Sequence, residues 1–566
     1  MSTGTYEHDD GSSSGALRTI ADHLAARADD DATALLTSEC AWTWRDFVRE
    51  SAIRAQMLSS LRRDESPWHI GVLMDNDPEY LFVIGGAALA GATIVGINPT
   101  RRGAQLADDV ARTDCSLVIV GQSYLGLAQD LPSRVERIAA SSQGYRELLR
   151  TAAESTIDDF TSYRGVNHDL LLLFTSGSTG TPKAVVCSSA RLAAIGELNV
   201  RGLTRNDVSY NAMPLFHGNA LMSTWAPTLC QGGTFAMRQR FSASKFLPDV
   251  IEFGATFFNY VGRSLSYVLA QPESPAEATT KLRLGFGTEA SATDQSEFMR
   301  RYGCTIIESY GSSEGVCVIM RDVDTPDGAL GVPRPELGLE ICHEDGTLCA
   351  TALFDDDGIM LNPDDAIGEI VARGGAARFE GYYNNPEAMS EKVRDGDYWS
   401  GDLAYRDTDG NFWFAGRTSD WVRVDSENFA TAPLERILTR FDGVRAAAAY
   451  AVPDPRTGDT LMVALETNTH TFEPEGFARF LTQQADLGTK WTPSLVRITD
   501  ALPLTATRKI DKPALRRVAW HTDDPLFEFV DGTYRLVRPE YAAARAARFA
   551  AHDRLHLLPR DPRPAA

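Results

Sequence analysis

An α/β architecture is expected: a large N-terminal domain of layered, mostly parallel sheets with a β-rich subdomain, then a small α+β domain. Three observations predict it. From Leu17 to about Gly165, helical patterns alternate with short apolar runs, the sign of βαβ units on a parallel sheet. Residues 322–375 change character, with Asp, Gly and Pro clusters separating short runs. A last change near Arg417–Asp420 opens a stretch that reads as a unit of its own. A chain of 566 residues is too long for one core in any case. The expected boundaries are a disordered lead-in over 1–15, a main domain over 16–418, a connector at 419–420, a small domain over 421–520 and a C-terminal extension over 521–566.

The lead-in, MSTGTYEHDDGSSSG, is polar and acidic and lacks the basic and apolar regions of a signal peptide. Strands are expected at His69–Met74, Ala92–Ile97 and Cys115–Val120. The uncharged run Tyr80–Ile97 has membrane-span length. Gly85, Gly86, Gly91 and Gly96 interrupt it, however, and Ala-rich character turns β-branched near Thr93. A buried helix feeding a buried strand is therefore expected, with no integral membrane segment. Leu170–Phe174 and Ala184–Cys187 read as strands flanking a polar loop, and further strands follow at Gly233–Met237, Ala255–Tyr260 and Arg283–Gly287. In the small domain, Pro433–Phe441 and Pro474–Gln484 read as helices, Ala446–Val452 and Met462–Glu466 as strands. The tail carries an Ala/Arg-rich helix, Tyr541–His552, expected on the surface with a frayed end.

The formal net charge of −22 excludes non-specific nucleic-acid binding and a polybasic membrane patch. It also means that a polyanionic substrate needs local positive charge. Eight scattered cysteines, with no C-x-x-C, suggest neither a disulfide framework nor a zinc site, and fit reduced thiols in the cytoplasm. Lysine is scarce, with seven in the chain: 183, 245, 281, 392, 490, 509 and 512. A Lys at a motif position is less readily chance for that reason.

The loop Thr175-Ser176-Gly177-Ser178-Thr179-Gly180-Thr181-Pro182-Lys183 is dense in Gly and hydroxyls and ends on one of these lysines. Bared N–H groups, hydroxyl donors and an ammonium suit the oxygens of a polyphosphate. A Walker A loop is excluded, because Ala184 follows the Lys and the chain re-enters a strand. A solvated hairpin fits these residues equally well. FTSGSTGTPKAVV, however, resembles the phosphate loop of the adenylate-forming superfamily, which includes acyl-CoA synthetases, peptide-synthetase adenylation domains and luciferases.

Further stretches resemble that superfamily in its own order. Met213–Asn219 (MPLFHGN) resembles the segment bordering the acyl pocket, where His217 would gate between substrates or contact the carboxylate; a structural His is the alternative. Gly285–Ala290 (GFGTEA) matches the backbone lining adenine and the pocket floor, implicating Gly287, Thr288 and Glu289. Gly at 285 and 287 permits close approach of a ligand, though a plain strand-to-helix turn fits too. In Glu308–Glu314 (ESYGSSE), the resemblance implies Tyr310 on adenine, Gly311 and Ser312 beside it, Ser313 on phosphate, and Glu314 on Mg²⁺. Asp402 in WSGDL would accept from both ribose hydroxyls, which suits a two-oxygen acceptor. Arg417 in GRTSD would reach ribose or phosphate. The resemblance places the hinge of a mobile lid domain at Ser419. It places the pantetheine tunnel of CoA along Ser426, Glu427 and Asn428, with Ser426 where Gly is usual. In Pro503–Lys512 (PLTATRKIDK), Lys509 is implied as the cation completing adenylation, Arg508 replaces the usual Gly, and Lys512 is the other candidate.

The reaction so implied has two steps. A carboxylate attacks the α-phosphorus of ATP to give acyl-AMP and pyrophosphate, and the thiol of coenzyme A then displaces AMP. No protein nucleophile is needed, in keeping with the lack of a Ser-His-Asp or Cys-His signature. Phe216, Leu221, Met222, Trp225, Tyr260 and Phe286 would line an apolar acyl pocket, and each is equally at home in a core. The loop after the hinge resembles the fatty acid transport protein-like and steroid side-chain acyl-CoA synthetases. That resemblance implies a long-chain or bulky polycyclic acid and, with the Ala- and Arg-rich usage, an actinobacterial enzyme of lipid, sterol or terpenoid metabolism. An acyl-AMP ligase loading a carrier protein would share every motif; a lipid-uptake protein without turnover is the non-catalytic alternative, and a luciferase-type oxygenase is the third. A homodimer is compatible with the sequence, which does not specify the oligomeric state.

Overall fold

The computed structural model describes residues 18–63, 67–175, 182–198, 202–261, 264–288, 290, 292–322, 324–355, 360–417, 421–424, 427–455, 459–467, 472–484, 487, 491–505, 508–538, 540–552 and 554–559. The proposed lead-in over 1–15 and the hinge at 419–420 lie outside them. The chain folds as two compact units: residues 1–173 with 186–240, and residues 174–185 with 241–566.

In the first unit the strands Glu136–Ala139, Leu117–Val120, His69–Leu73, Thr93–Gly96 and Asp169–Thr175 lie side by side and parallel. The suspect apolar run resolves as expected. Pro78–Ala90 is a helix with Asp77 as N-cap, and it ends at Gly91, whose φ of +79° suits glycine. It is buried from Tyr80 onward, and the buried strand Thr93–Gly96 follows. No helix among the described residues is long and apolar enough to cross a membrane. A second set of strands runs Val208–Asn211, Thr234–Met237, Thr33–Leu36, Ala41–Thr43, with only the last pairing antiparallel.

In the second unit Phe257–Asn259, Leu284–Gly287 and Thr305–Tyr310 are parallel, and short Ile319–Met320 closes antiparallel on the last. Then comes the expected β-rich part: Leu339–Cys342, Gly368–Ala372, Asp397–Arg406 and Phe412–Arg417, antiparallel throughout. The C-terminal part is a five-stranded sheet, Val444–Pro453, Asp459–Thr467, Leu495–Thr499, Leu526–Val530 and Thr533–Leu536.

The tail departs from its expected role. In Val444–Pro453 alternate residues feed two different cores: Ala447 and Ala449 face one with Phe477, while Ala448 and Tyr450 face another with Trp520 and Phe549. A strand apolar on both faces needs cover on both. Thr431–Leu438 and Pro474–Thr482 supply it on one side, Lys512–Val518 and Tyr541–Ala550 on the other. Tyr541–Ala550 keeps one face exposed, as expected of a surface helix, but it also packs its other face into this core. Phe549 is fully buried, Arg545 nearly so, and residues 526–536 add two strands to the sheet.

Candidate functional site

Several expected nucleotide ligands meet within the second unit. The strand Thr305–Tyr310 ends on Tyr310, whose phenol donates to Oδ2 of Asp402 at 2.7 Å. Burial, and then the Asp402 charge, push this phenol well above its usual range, so it stays a donor. Asp402 lies in Asp397–Arg406 opposite Arg417, the last residue of Phe412–Arg417. Four residues past Tyr310, Glu314 is buried and accepts at Oε1 from the Tyr382 phenol at 2.6 Å. Lys183, buried at the start of its strand, holds its ammonium 2.8 Å from the exposed Glu391 carboxylate and 5.3 Å from the centre of the Tyr382 ring. Lys183 holds the Glu391 carboxyl below its usual range. The N–H of Tyr383 donates to the carbonyl of Ala184 at 2.8 Å. Tyr382 is thus the common neighbour of Glu314 and Lys183, which sequence analysis missed. The Thr175 hydroxyl donates to the Lys183 carbonyl at 3.5 Å, across the loop.

Gly285 and Gly287 have a different reason from the one expected. A Cβ on Gly287 would fall 2.6 Å from the Tyr260 ring, and one on Gly285 would fall 2.5 Å from that of Phe258. The room their missing side chains leave is taken by aromatic rings, not left open for a ligand. The Tyr260 phenol donates to Glu308 Oε1 at 3.0 Å, and the Ala290 N–H donates to the same oxygen at 2.7 Å. Tyr260 and Phe286 are both buried, Thr288 is half-buried, and Gly311 and Ser312 are exposed beside half-buried Ser313.

The acyl-pocket motif belongs to the first unit. Asn76, buried and missed by sequence analysis, organises it. Its Nδ2 donates to the carbonyls of Met213 and Arg238 at 3.0 Å each, and its Oδ1 accepts from the Leu215 N–H at 2.9 Å. Gly96 lets the Phe216 backbone come close, since a Cβ there would lie 2.7 Å from the Phe216 carbonyl oxygen. His217 caps a short helical turn, Nδ1 accepting from the Asn219 N–H at 3.3 Å. A π-helical turn, Leu221–Trp225, follows; such turns are rare and frequent at functional sites. Leu221, Met222 and Trp225 are buried, and the Trp225 indole N–H has no hydrogen-bond partner among the described residues.

Lys509 sits in a loop that closes on itself. The Thr505 N–H donates to the Lys509 carbonyl at 2.7 Å, the Arg508 N–H to the Thr505 carbonyl at 2.9 Å, and the Asp511 N–H to the Pro503 carbonyl at 2.8 Å. Arg508 has φ +63°, and its guanidinium carbon lies 4.9 Å from the centre of the Phe241 ring and 5.9 Å from that of Tyr267. Lys512 is an anchor: its ammonium bonds Thr431 Oγ1 at 2.9 Å and Glu435 at 2.8 Å. Ser176, Gly177, Ser178, Thr179, Gly180, Glu289, Ser419 and Ser426 lie outside the described residues. Glu427 and Asn428 are placed by backbone alone, on the strand Glu427–Ala430.

Chemically, the second-unit cluster offers donors and cations for a polyphosphate and a two-oxygen acceptor for a diol. Burial pushes the Cys304 and Cys317 thiols up to about 12, so neither is a ready nucleophile. Mg²⁺ prefers few carboxylates together with phosphate oxygens and water. Glu314, with one oxygen engaged by the Tyr382 phenol and Lys183 beside the same ring, fits that demand. The AMP-binding enzyme family model matches residues 22–383, and that of the AMP-binding enzyme C-terminal domain matches 433–509. The chain belongs to the AMP-binding enzyme family. It is 48% identical to the steroid-22-oyl-CoA synthetase of Rhodococcus jostii (strain RHA1) over 523 residues, 90% of this chain and 93% of that protein. It is 42% identical to the medium/long-chain-fatty-acid–CoA ligase FadD17 of Mycobacterium tuberculosis over 491 residues, 86% of this chain and 93% of the relative. The fold is shared with the ATP-bound MatB from Rhodopseudomonas palustris at a TM-score of 0.74 and 22% identity, covering 88% of this chain and 99% of that one.

Proposed function

We propose that this chain is an ATP-dependent acyl-CoA ligase for apolar carboxylic acids. The acid's carboxylate attacks the α-phosphorus of ATP, expelling pyrophosphate, and the coenzyme A thiol then attacks the acyl carbon and expels AMP. The observation that carries this reading is the convergence of distant motifs in one unit: Tyr310 on Asp402, and Glu314 and Lys183 both beside Tyr382. Catalysis in such a site rests on positioning and on cations facing developing negative charge.

In this reading Thr175–Lys183 and Ser313 meet the phosphates, Asp402 and Arg417 the ribose, and Tyr310 the adenine, with Gly287, Thr288 and Glu289 beside it. Glu314 would hold Mg²⁺, which supplies charge neutralisation at the phosphates when bound. Lys509 closes on the reacting carboxylate and α-phosphate. Domain boundaries at 418 and 421, a hinge at Ser419, the CoA tunnel along 426–428 and a cytoplasmic location complete the proposal. The acid class is long-chain or polycyclic, supported by the steroid and long-chain names of relatives at 48% and 42% identity and by the buried apolar side chains of Leu221, Met222 and Trp225.

ATP–pyrophosphate exchange with a panel of acids tests the reading. Steroid C22 carboxylates and long-chain fatty acids should support exchange, and acetate and amino acids should not; CoA should then convert the product to thioester. Exchange with no apolar acid, or thioester formed only on a carrier-bound pantetheine, would overturn it.

A further inference from the structure

Asp402 sits on a bulge. Trp399 pairs with Val371 and Leu403 with Glu369, so Ser400, Gly401 and Asp402 together oppose Ile370 alone. Gly401 has φ +79°, which lets the strand buckle. Backbone groups in a bulge lose their ladder partners and must find others.

Here the peptide group joining Ser400 to Gly401 is held at both ends by charge. The Lys392 ammonium, from the last residue of the helix Pro386–Lys392, donates to the Ser400 carbonyl. The Gly401 N–H donates to Glu369 Oε1 at 2.5 Å. The Ser400 hydroxyl accepts from the Asp402 N–H at 3.0 Å, which fixes the next peptide. Tyr310 then orients the Asp402 carboxylate. Burial pulls the Lys392 ammonium below its usual range, while the Glu314, Asp402 and Glu369 charges pull the other way. A Lys in a Lys-poor chain is placed where its charge is disfavoured by burial, and it donates there to a backbone oxygen.

We propose that Lys392 and Glu369 are a pair of positioning residues. Gripping one peptide group from its two ends, they set Asp402 at the distance and angle at which it accepts from the ribose hydroxyls of ATP. The proposal rests on the reading of Asp402 as the ribose ligand. A pair that only stabilised the sheet would lower the melting temperature and weaken all nucleotides alike. A positioning pair weakens recognition of the ribose in particular.

The test uses the full-length chain and direct binding of Mg-ATP and Mg-2′,3′-dideoxy-ATP, with the ratio of the two Kd values as readout beside the melting temperature. Wild type should prefer ATP, and Asp402→Ala should abolish that preference. Lys392→Met and Glu369→Ala should each cut the ratio by about tenfold, and the double variant by little more than either. Lys392→Arg and Glu369→Gln, which keep a donor and an acceptor and give well-folded controls, should restore most of it. If Asp402→Ala leaves the ratio unchanged, the ribose reading itself fails. If Asp402→Ala abolishes the preference while Lys392→Met and Glu369→Ala change only the melting temperature, the pair is structural and the proposal is overturned.

Discussion

The Ser400–Asp402 bulge and the Pro503–Lys512 loop present charges to the same proposed chemistry, yet they are built in opposite ways. The bulge borrows its order. Its backbone groups are met by Lys392 from a preceding helix and Glu369 from the neighbouring strand, and its carboxylate by Tyr310, 92 residues away. The loop supplies most of its own order through backbone bonds among Thr505, Arg508, Lys509, Pro503 and Asp511, and the Thr505 hydroxyl accepts from the Lys509 N–H at 3.2 Å. Arg508 reaches outside it to Phe241 and Tyr267, and Lys512 to Thr431 and Glu435. A borrowed arrangement cannot shift without breaking several contacts at once. A self-contained one can travel as a piece. In the proposed function the ribose acceptor would belong to the part that stays and the lysine to the part that moves.

The sharpest way to break this comparison is at Lys509. A unit charge near 4 Å at an effective dielectric of ~20 is worth about 4 kcal/mol, or roughly a thousandfold in rate. Lys509→Ala should therefore slow pyrophosphate exchange by about that factor, while thioester formation from supplied acyl-AMP keeps its rate. Equal loss in both half-reactions would mean that the loop does not serve one step alone. Ser419→Pro should next abolish one half-reaction and spare the other, because Pro fixes φ where a lid would turn; wild-type rates in both would place no hinge there. Tyr310→Phe touches the stationary side. Losing a bond to a charged acceptor should raise the KM for ATP in pyrophosphate exchange by about tenfold, with kcat little changed. A loss confined to kcat would assign Tyr310 to the chemistry instead.

How far the sequence discloses all this depends on whether a residue acts through a motif or through a neighbour. Tyr310, Glu314, Lys183 and Asp402 stand in short motifs that the resemblance picks out, and as candidates they are legible from the sequence. Lys392, Glu369, Tyr382 and Asn76 are not, because each works by reaching a backbone or side-chain group outside its own stretch of sequence. For Lys392 a signal does exist in the scarcity of lysine, though scarcity alone does not say what the ammonium reaches. The glycines at 285 and 287 are legible as special but not for their reason, since a neighbouring strand's aromatic ring and a ligand demand the same missing Cβ. The tail is misjudged by composition. Its Ala/Arg pattern looks solvent-facing, but the all-apolar strand Ala446–Val452 already requires a second covering layer, which the tail provides together with Lys512–Val518.

Arg508 offers the smallest effect and the finest test of the loop's independence. A non-glycine residue in the left-handed region costs roughly 1–2 kcal/mol, and Arg508 adopts it at φ +63°. Its guanidinium over Phe241 and Tyr267 returns about 0.5–1 kcal/mol per exposed cation–π contact. Arg508→Gly removes strain and contact together, so the melting temperature should hardly move. The loop would keep its internal bonds but lose its seat on the two rings. Exchange should then fall by about two- to fivefold, with Phe241→Ala adding nothing in the Arg508→Gly background, as expected for one shared interaction. A higher melting temperature with exchange unchanged would show that the rings merely tolerate the arginine. The loop would then be independent of the rings in function as well as in its hydrogen bonds.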